Sequence, residues 1–230
     1  MPVSVDELRT LMAVALSGLL LLVRLDAPRF GSAEYDVEES AGGRLTRLAW
    51  PLLAIVLVAA IALLLPAGPG AIGLGTGAGL AAGSLLLAVL GSAIGIAAVL
   101  VVARLRAPDW PPRLNAGAEA PRYAFDAVAT AIVDELTFRG VLLGLMLLAG
   151  VPGAVAFAAQ LLLYALETRL GRSWVTIDLL AEVLLLGALT GALALATGSV
   201  VAPLVAHATT RFAALFLADA IPPLLPREAR

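Results

Sequence analysis

The sequence predicts an all-α fold: a polytopic transmembrane helix bundle of about six to seven spans around a polar cavity within the bilayer. Three observations carry this. Of 230 residues, 61% are hydrophobic and 14% charged, and the mean hydropathy is +0.99, far from a soluble domain of this length. The apolar residues fall in runs long enough to approach the roughly 20 residues that a hydrocarbon core requires, without the two-residue alternation of a barrel strand. Finally, arginine, which supplies all 15 basic residues, gathers in alternate connections.

The elements follow in order. Ser4 and Glu7 make an S-x-x-E capping box, which starts a helix at about Val5. This helix carries the first apolar run, 11–23, expected to be a short span or partly interfacial. Asp6 and Glu7 precede the run and no small-x-small site follows it, only "RLDAPRF", so it reads as a retained segment and not a cleaved signal peptide. Six further runs cover 48–65, 79–103, 123–148, 152–167, 177–197 and 200–218. Pro51 is expected in the first turn of its helix, where a missing N–H costs nothing.

The connections test the count. Arg24, Arg29, Arg44 and Arg47 belong to the first, Arg104, Arg106, Arg113 and Arg122 to the third, Arg169 and Arg172 to the fifth, and Arg227 and Arg230 to the tail. This alternation predicts seven crossings with a cytoplasmic C-terminus; if the first run does not cross, the N-terminus moves inside. The Ala, Gly, Leu, Pro and Arg bias fits a GC-rich bacterial genome and hence the inner membrane. Trp50, Trp110 and Trp174 lie beside arginines, as interfacial anchors do.

The chain divides into N-terminal helices and loops (1–119), motif-bearing helices integrated with them (120–220) and a cytoplasmic tail (221–230). Without cysteine, disulfides and thiolate metal sites are excluded. "GLGTGAG" at 73–79 lacks the G-x-G-x-x-G spacing and the strand-turn-helix setting of a nucleotide loop. Gly75, Gly79 and Gly83, Gly91 with Gly95, Gly140 with Gly144, and Gly187 with Gly191 instead read as small-xxx-small contacts that bring helix backbones together. No basic stripe with interleaved aromatics marks a nucleic-acid surface.

Charges at depth are the exception to this oily composition. A charged side chain near a span's centre costs roughly 2.5–3.5 kcal/mol on insertion scales, so it needs a partner, water or a purpose. In "AIVDELTFRG", Asp134, Glu135 and Arg139 stand about 11 to 16 residues into their helix at ~1.5 Å each, too deep to snorkel. Glu135 and Arg139 are spaced i, i+4 with the acid first, the favourable order for an ion pair, and one reading is that they only lock the bundle. Asp134, about 100° round the helix, then needs another partner, and a buried carboxyl so placed is a candidate general base. The last helix offers partners: His207, the one histidine, and Arg211 share a face at comparable depth and are expected opposite Asp134.

"DELTFRG" resembles the E-E-x-x-F-R-G motif of the CPBP intramembrane proteases, the family of type II CAAX prenyl endopeptidases and the Abi proteins. The likeness continues in "LLLYALET", where the family carries F-x-x-x-H, and in "GALTGALALATGSVVAPLVAHATTR", similar to its last glycine-bearing helix and H-x-x-x-N. It covers about Ala120 to Leu217. It implies an intramembrane endopeptidase with an active-site cavity in the bilayer and a membrane-associated peptide or protein as substrate. Asp134 stands where the family has its water-activating glutamate, and Glu135, Arg139 and His207 match directly. The second-motif histidine falls on Glu167 by spacing or on Thr168 by local pattern, and the final asparagine is replaced by Arg211.

Peptide hydrolysis needs an activated water, donors for the oxyanion and a proton for the leaving amine. Asp134 is expected to hold the water, Glu167 to share its proton, and His207 and Arg211 to donate to the oxyanion. No cofactor is expected; a divalent metal, if one bound, would take Asp134, Glu167 and His207, although zinc sites usually recruit more imidazole or thiolate. Asp178 and Glu182 are expected near the cytoplasmic end of their helix, facing water or pairing with Arg169 or Arg172, and Asp126 in a solvated position or lining an approach to the site. Gln160 is expected to bond across helices. The competing readings are a catalytically degenerate relative that binds a membrane peptide or partner, and a transporter, for which no inverted repeat is visible. Substrate identity and oligomeric state are not written in the sequence.

Overall fold

The computed structural model describes residues 4–25, 44–75, 81–106, 120–169 and 177–216. Trp110, Trp174, Arg29 and the tail lie outside them, as do the side chains of Asp126, Thr168, Asp178, Arg44 and Arg47. Among the described residues there are seven helices and no strand. They are α1 (Val5–Leu25), α2 (Arg44–Leu64), α3 (Ala82–Arg106), α4 (residues 120–148), α5 (Gly153–Arg169), α6 (Ile177–Thr197) and α7 (Val201–Phe216). A 3-10 turn, Pro69–Ile72, precedes α3. The predicted class therefore holds: this is an all-helical membrane bundle.

Local sequence explains the ends. The capping box forms as read: Ser4 N donates to Glu7 Oε2 at 2.7 Å and Glu7 N to Ser4 Oγ at 3.2 Å, satisfying two donors that an α-helix leaves open. The 13-residue first run thereby becomes a 21-residue helix, long and apolar enough to cross a membrane. Stretches of the same quality lie in Ala82–Val102 and Leu180–Thr197, with shorter apolar helices at Leu48–Leu64 and Gly153–Glu167. Leu11, Val14 and Leu22 of α1, Val56 and Leu63 of α2, and Leu86 and Val89 of α3 point outward, as lipid-facing residues do.

One end differs from expectation. Because α2 begins at Arg44, Pro51 lies inside the helix and leaves the carbonyl of residue 47 without its usual donor.

Small residues set the packing. A Cβ on Gly95 would stand 1.9 Å from Thr210 Oγ1, and one on Gly144 2.5 Å from the Ala71 carbonyl. Thus α3 meets α7, and the 3-10 turn meets α4, at near backbone contact. Gly83 does not follow this rule: nothing lies within 4 Å of its Cβ direction. Gly79 is outside the described residues. Trp50, Leu20, Ile61, Ile72, Val133 and Val141 close one core between α1, α2 and α4, and Phe138, Tyr164 and Val183 another between α4, α5 and α6.

Candidate active site

The site is organised by α4, which is not the uniform α-helix that its period predicts. It is α-helical over Ala120–Asp134, π-helical over Glu135–Leu142 and α-helical again over Leu143–Leu148. The widened turn begins directly after Asp134, in the stretch bearing Glu135 and Arg139. Such insertions are rare and recur at functional sites. Asp134 and Glu135 are both fully buried, and as helix neighbours they point in different directions.

Asp134 points to α1 and α5. Arg24 Nε donates to Asp134 Oδ1, and Arg24 Nη1 lies 2.9 Å from Glu167 Oε1. One guanidinium from α1 thus joins carboxylates of α4 and α5. Its Cζ sits 5.6 Å from the centroid of the Trp50 ring, while Trp50 Nε1 donates to the Val23 carbonyl at 3.0 Å. Asp134 Oδ2 has no hydrogen-bond partner among the described residues.

Two expectations are corrected here. Arg24 is not a residue of the first connection but belongs to the last turn of α1, and it is 4% exposed. Trp50 is not an interfacial anchor; at 1% exposed it is a core residue that covers this guanidinium. The physical reason is one of demand: the buried Asp134 and the partly buried Glu167 require a cation more than the lipid interface does.

Glu135 points to α7. His207 Nδ1 lies 2.6 Å from Glu135 Oε1, and Arg211 Nε donates to His207 Nε2 at 3.1 Å. Arginine only donates, so Nε2 accepts and the ring hydrogen sits on Nδ1, directed at Glu135. Arg139 Nε stands 3.5 Å from Glu135 Oε2, the expected i, i+4 ion pair, and Nη2 donates to the Gly187 carbonyl at 3.3 Å. The Arg139 guanidinium lies over Tyr164 at 4.3 Å, a cation–π contact, and Tyr164 packs edge-on against Phe138 and His207.

The six residues expected at the site therefore fall into two adjoining groups. Asp134 joins Glu167 through Arg24; Glu135 joins Arg139, His207 and Arg211. His207 was expected opposite Asp134 but lies against Glu135, because Asp134 turns to the other side of α4. Sequence reasoning missed Arg24, Trp50 and Tyr164. The available signals were an arginine one residue past an apolar run and the tyrosine at the aromatic position of "LLLYALET". Three guanidiniums and three carboxylates cancel formally, as ions taken out of water must.

Other acids and amides stay outside these groups. Glu182, expected to face water or an arginine, is half-buried and lines an otherwise mostly apolar cavity of about 410 Å³ between α3, α6 and α7, with Ile94, Val99, Leu189 and Thr210 among its walls. Gln160 packs toward α6, where a Cβ on Gly191 would meet its Nε2 at 2.5 Å. Its amide makes none of the expected cross-helix hydrogen bonds among the described residues. No group of three His, Asp or Glu side chains arranged to hold a metal ion occurs among the described residues. Asp134, Glu167 and His207 do not converge as ligands, since both His207 nitrogens are engaged by Glu135 and Arg211.

Residues 117–213, which contain α4 to most of α7 and all six expected site residues, match the family described as type II CAAX prenyl endopeptidase Rce1-like. This segment is similar to the CAAX-protease family. No curated protein and no solved structure matches the chain. The CAAX-protease segment supplies the whole Glu135 group, whereas Arg24 and Trp50 reach the Asp134 group from helices that precede it. The family accounts for a membrane protein of protease kind.

Proposed function

We propose that the chain is an intramembrane endopeptidase that hydrolyses a membrane-associated peptide or protein with a carboxylate-activated water. The observation that carries this reading is Asp134: fully buried, held through Oδ1 by Arg24, and with Oδ2 unpartnered among the described residues. A carboxylate fixed at one oxygen keeps the other as proton acceptor for a water. Glu167, nearer solvent at 12% side-chain exposure, takes the proton onward to the leaving amine. Arg211 donates to the oxyanion, and His207, held by Glu135, keeps that guanidinium in place. His207 thus positions a donor and does not act as one, in contrast to the oxyanion donation expected from the sequence. The orientation proposed is that of the arginine pattern, with the C-terminal tail cytoplasmic in a bacterial inner membrane.

A second reading rests on the same residues. Asp134 is a methylene shorter than the family's glutamate, no second imidazole exists, and the carboxylate is already ion-paired. A degenerate relative that binds a membrane peptide without cleaving it fits those features.

Reconstitution in liposomes with a tagged membrane peptide separates the two. The hydrolase reading expects cleavage by the unmodified protein that is lost in Asp134→Ala and His207→Ala. Cleavage unchanged in these variants removes it, and binding without cleavage favours the second reading.

A further inference from the structure

We propose that Arg24, contributed by α1 from outside the family segment, is a positioning residue for hydrolysis: it fixes Asp134 through Oδ1 so that Oδ2 meets the attacking water. The inference rests on the hydrolase reading and deepens it. A guanidinium is a rigid planar fork whose donors have a fixed separation. Using Nε for Asp134 and Nη1 for Glu167, Arg24 sets the distance between two carboxylates borne on different helices, α4 and α5. A lysine ammonium carries the same charge but lacks this fixed fork geometry.

The cation itself is immobilised. Trp50 covers its face, and the indole N–H is tied to the carbonyl of Val23, the residue directly before Arg24. The short aspartate at 134 makes such a grip consequential, because a displacement of about 1 Å at a reacting group can cost about a hundredfold in rate. Among the described residues, Glu135 and Arg139 on α4 pair with each other, and His207 and Arg211 on α7 follow Glu135. Arg24 is the cation paired with Asp134 among the described residues.

The test compares kcat and KM for cleavage of a tagged membrane peptide in liposomes by the unmodified protein, R24Q, R24K and W50F, with folding followed by thermal melting. We expect R24Q to lose about a hundredfold in kcat with KM changed by less than about threefold. R24K should recover part of this, and W50F should show a smaller kcat loss in the same direction. Because R24Q removes the cation paired with the buried Asp134, R24K is the deciding variant if R24Q does not fold: a folded R24K with kcat reduced about tenfold and KM held supports the assignment, and R24K at full kcat overturns it. A folded R24Q that cleaves at the original or a higher rate also overturns it, the higher rate marking Arg24 as a plug. Absence of cleavage by the unmodified protein overturns the hydrolase reading and this inference together, whereas cleavage that is lost in Asp134→Ala but kept in both Arg24 variants overturns the inference alone.

Discussion

Asp134 and Glu135 are adjacent, chemically alike and equally buried, yet each is satisfied from a different part of the chain. Within the family segment Glu135 finds Arg139 four residues on and His207 72 residues away, and His207 is bonded in turn by Arg211 at a spacing of four. Asp134 finds Arg24, which is 110 residues away and outside that segment. In the Glu135 group each ring nitrogen of His207 is engaged and the Arg139 guanidinium is stacked on Tyr164, while Glu135 Oε2 and Arg139 Nε and Nη1 make no hydrogen bond among the described residues. The Asp134 group keeps one carboxylate oxygen unpartnered among the described residues. On the proposed function, Glu135, engaged by Arg139 and His207, positions the Arg211 donor, and Asp134, engaged by Arg24, activates the water.

Changes at the two carboxylates should separate along this line. Glu135→Ala strands His207 and Arg139 in the interior, so the largest effect expected is on folding: about 3–5 kcal/mol lost in denaturant unfolding, as for breaking a buried pair. Asp134→Asn retains a side chain of similar shape beside Arg24 but no general base. Its kcat should fall by about 10² to 10⁴ with a much smaller change in stability than Glu135→Ala, read from cleavage and thermal melting on the same sample. Equal stability losses for the two would break the comparison.

Smaller changes sharpen it. Gly95→Val forces a side chain into Thr210, on the helix that carries His207, and overpacking there should cost about 1–3 kcal/mol in unfolding. Tyr164→Leu removes the ring beneath Arg139 and should cost about 1 kcal/mol or somewhat more in the same assay, with KM for the peptide unchanged. A KM change in that variant would move the Glu135 group from positioning to substrate contact.

What the sequence makes legible follows the same division. The Glu135–Arg139 and His207–Arg211 pairs lie at i, i+4 on single helices, so their shared faces could be read from spacing alone. The close approaches at Gly95 and Gly144 were visible as small-xxx-small spacings, although the same pattern at Gly83 found no neighbour. Arg24 was hidden because an arginine just past an apolar run looks like a topological charge, and no local period links α1 to α4. Trp50 was hidden in the same way, its indole beside arginines matching the signature of an interfacial ring. The π-helical stretch left no mark, since over one turn its period differs too little from 3.6 residues to alter an apolar pattern. Long-range pairing between ions is set by which helices pack together, and that lies beyond helical periodicity.

The claim on which the rest depends is that Asp134 activates a water and does not itself attack the peptide. A single-turnover cleavage in ¹⁸O-labelled water, with the new C-terminal carboxylate analysed by mass spectrometry, tests this directly. The account predicts one ¹⁸O in the product of the first turnover and, on the same timescale, product from Asp134→Asn reduced by the same about 10² to 10⁴. First-turnover product free of label, with label arriving only in later turnovers, would contradict it by making the Asp134 carboxylate the nucleophile.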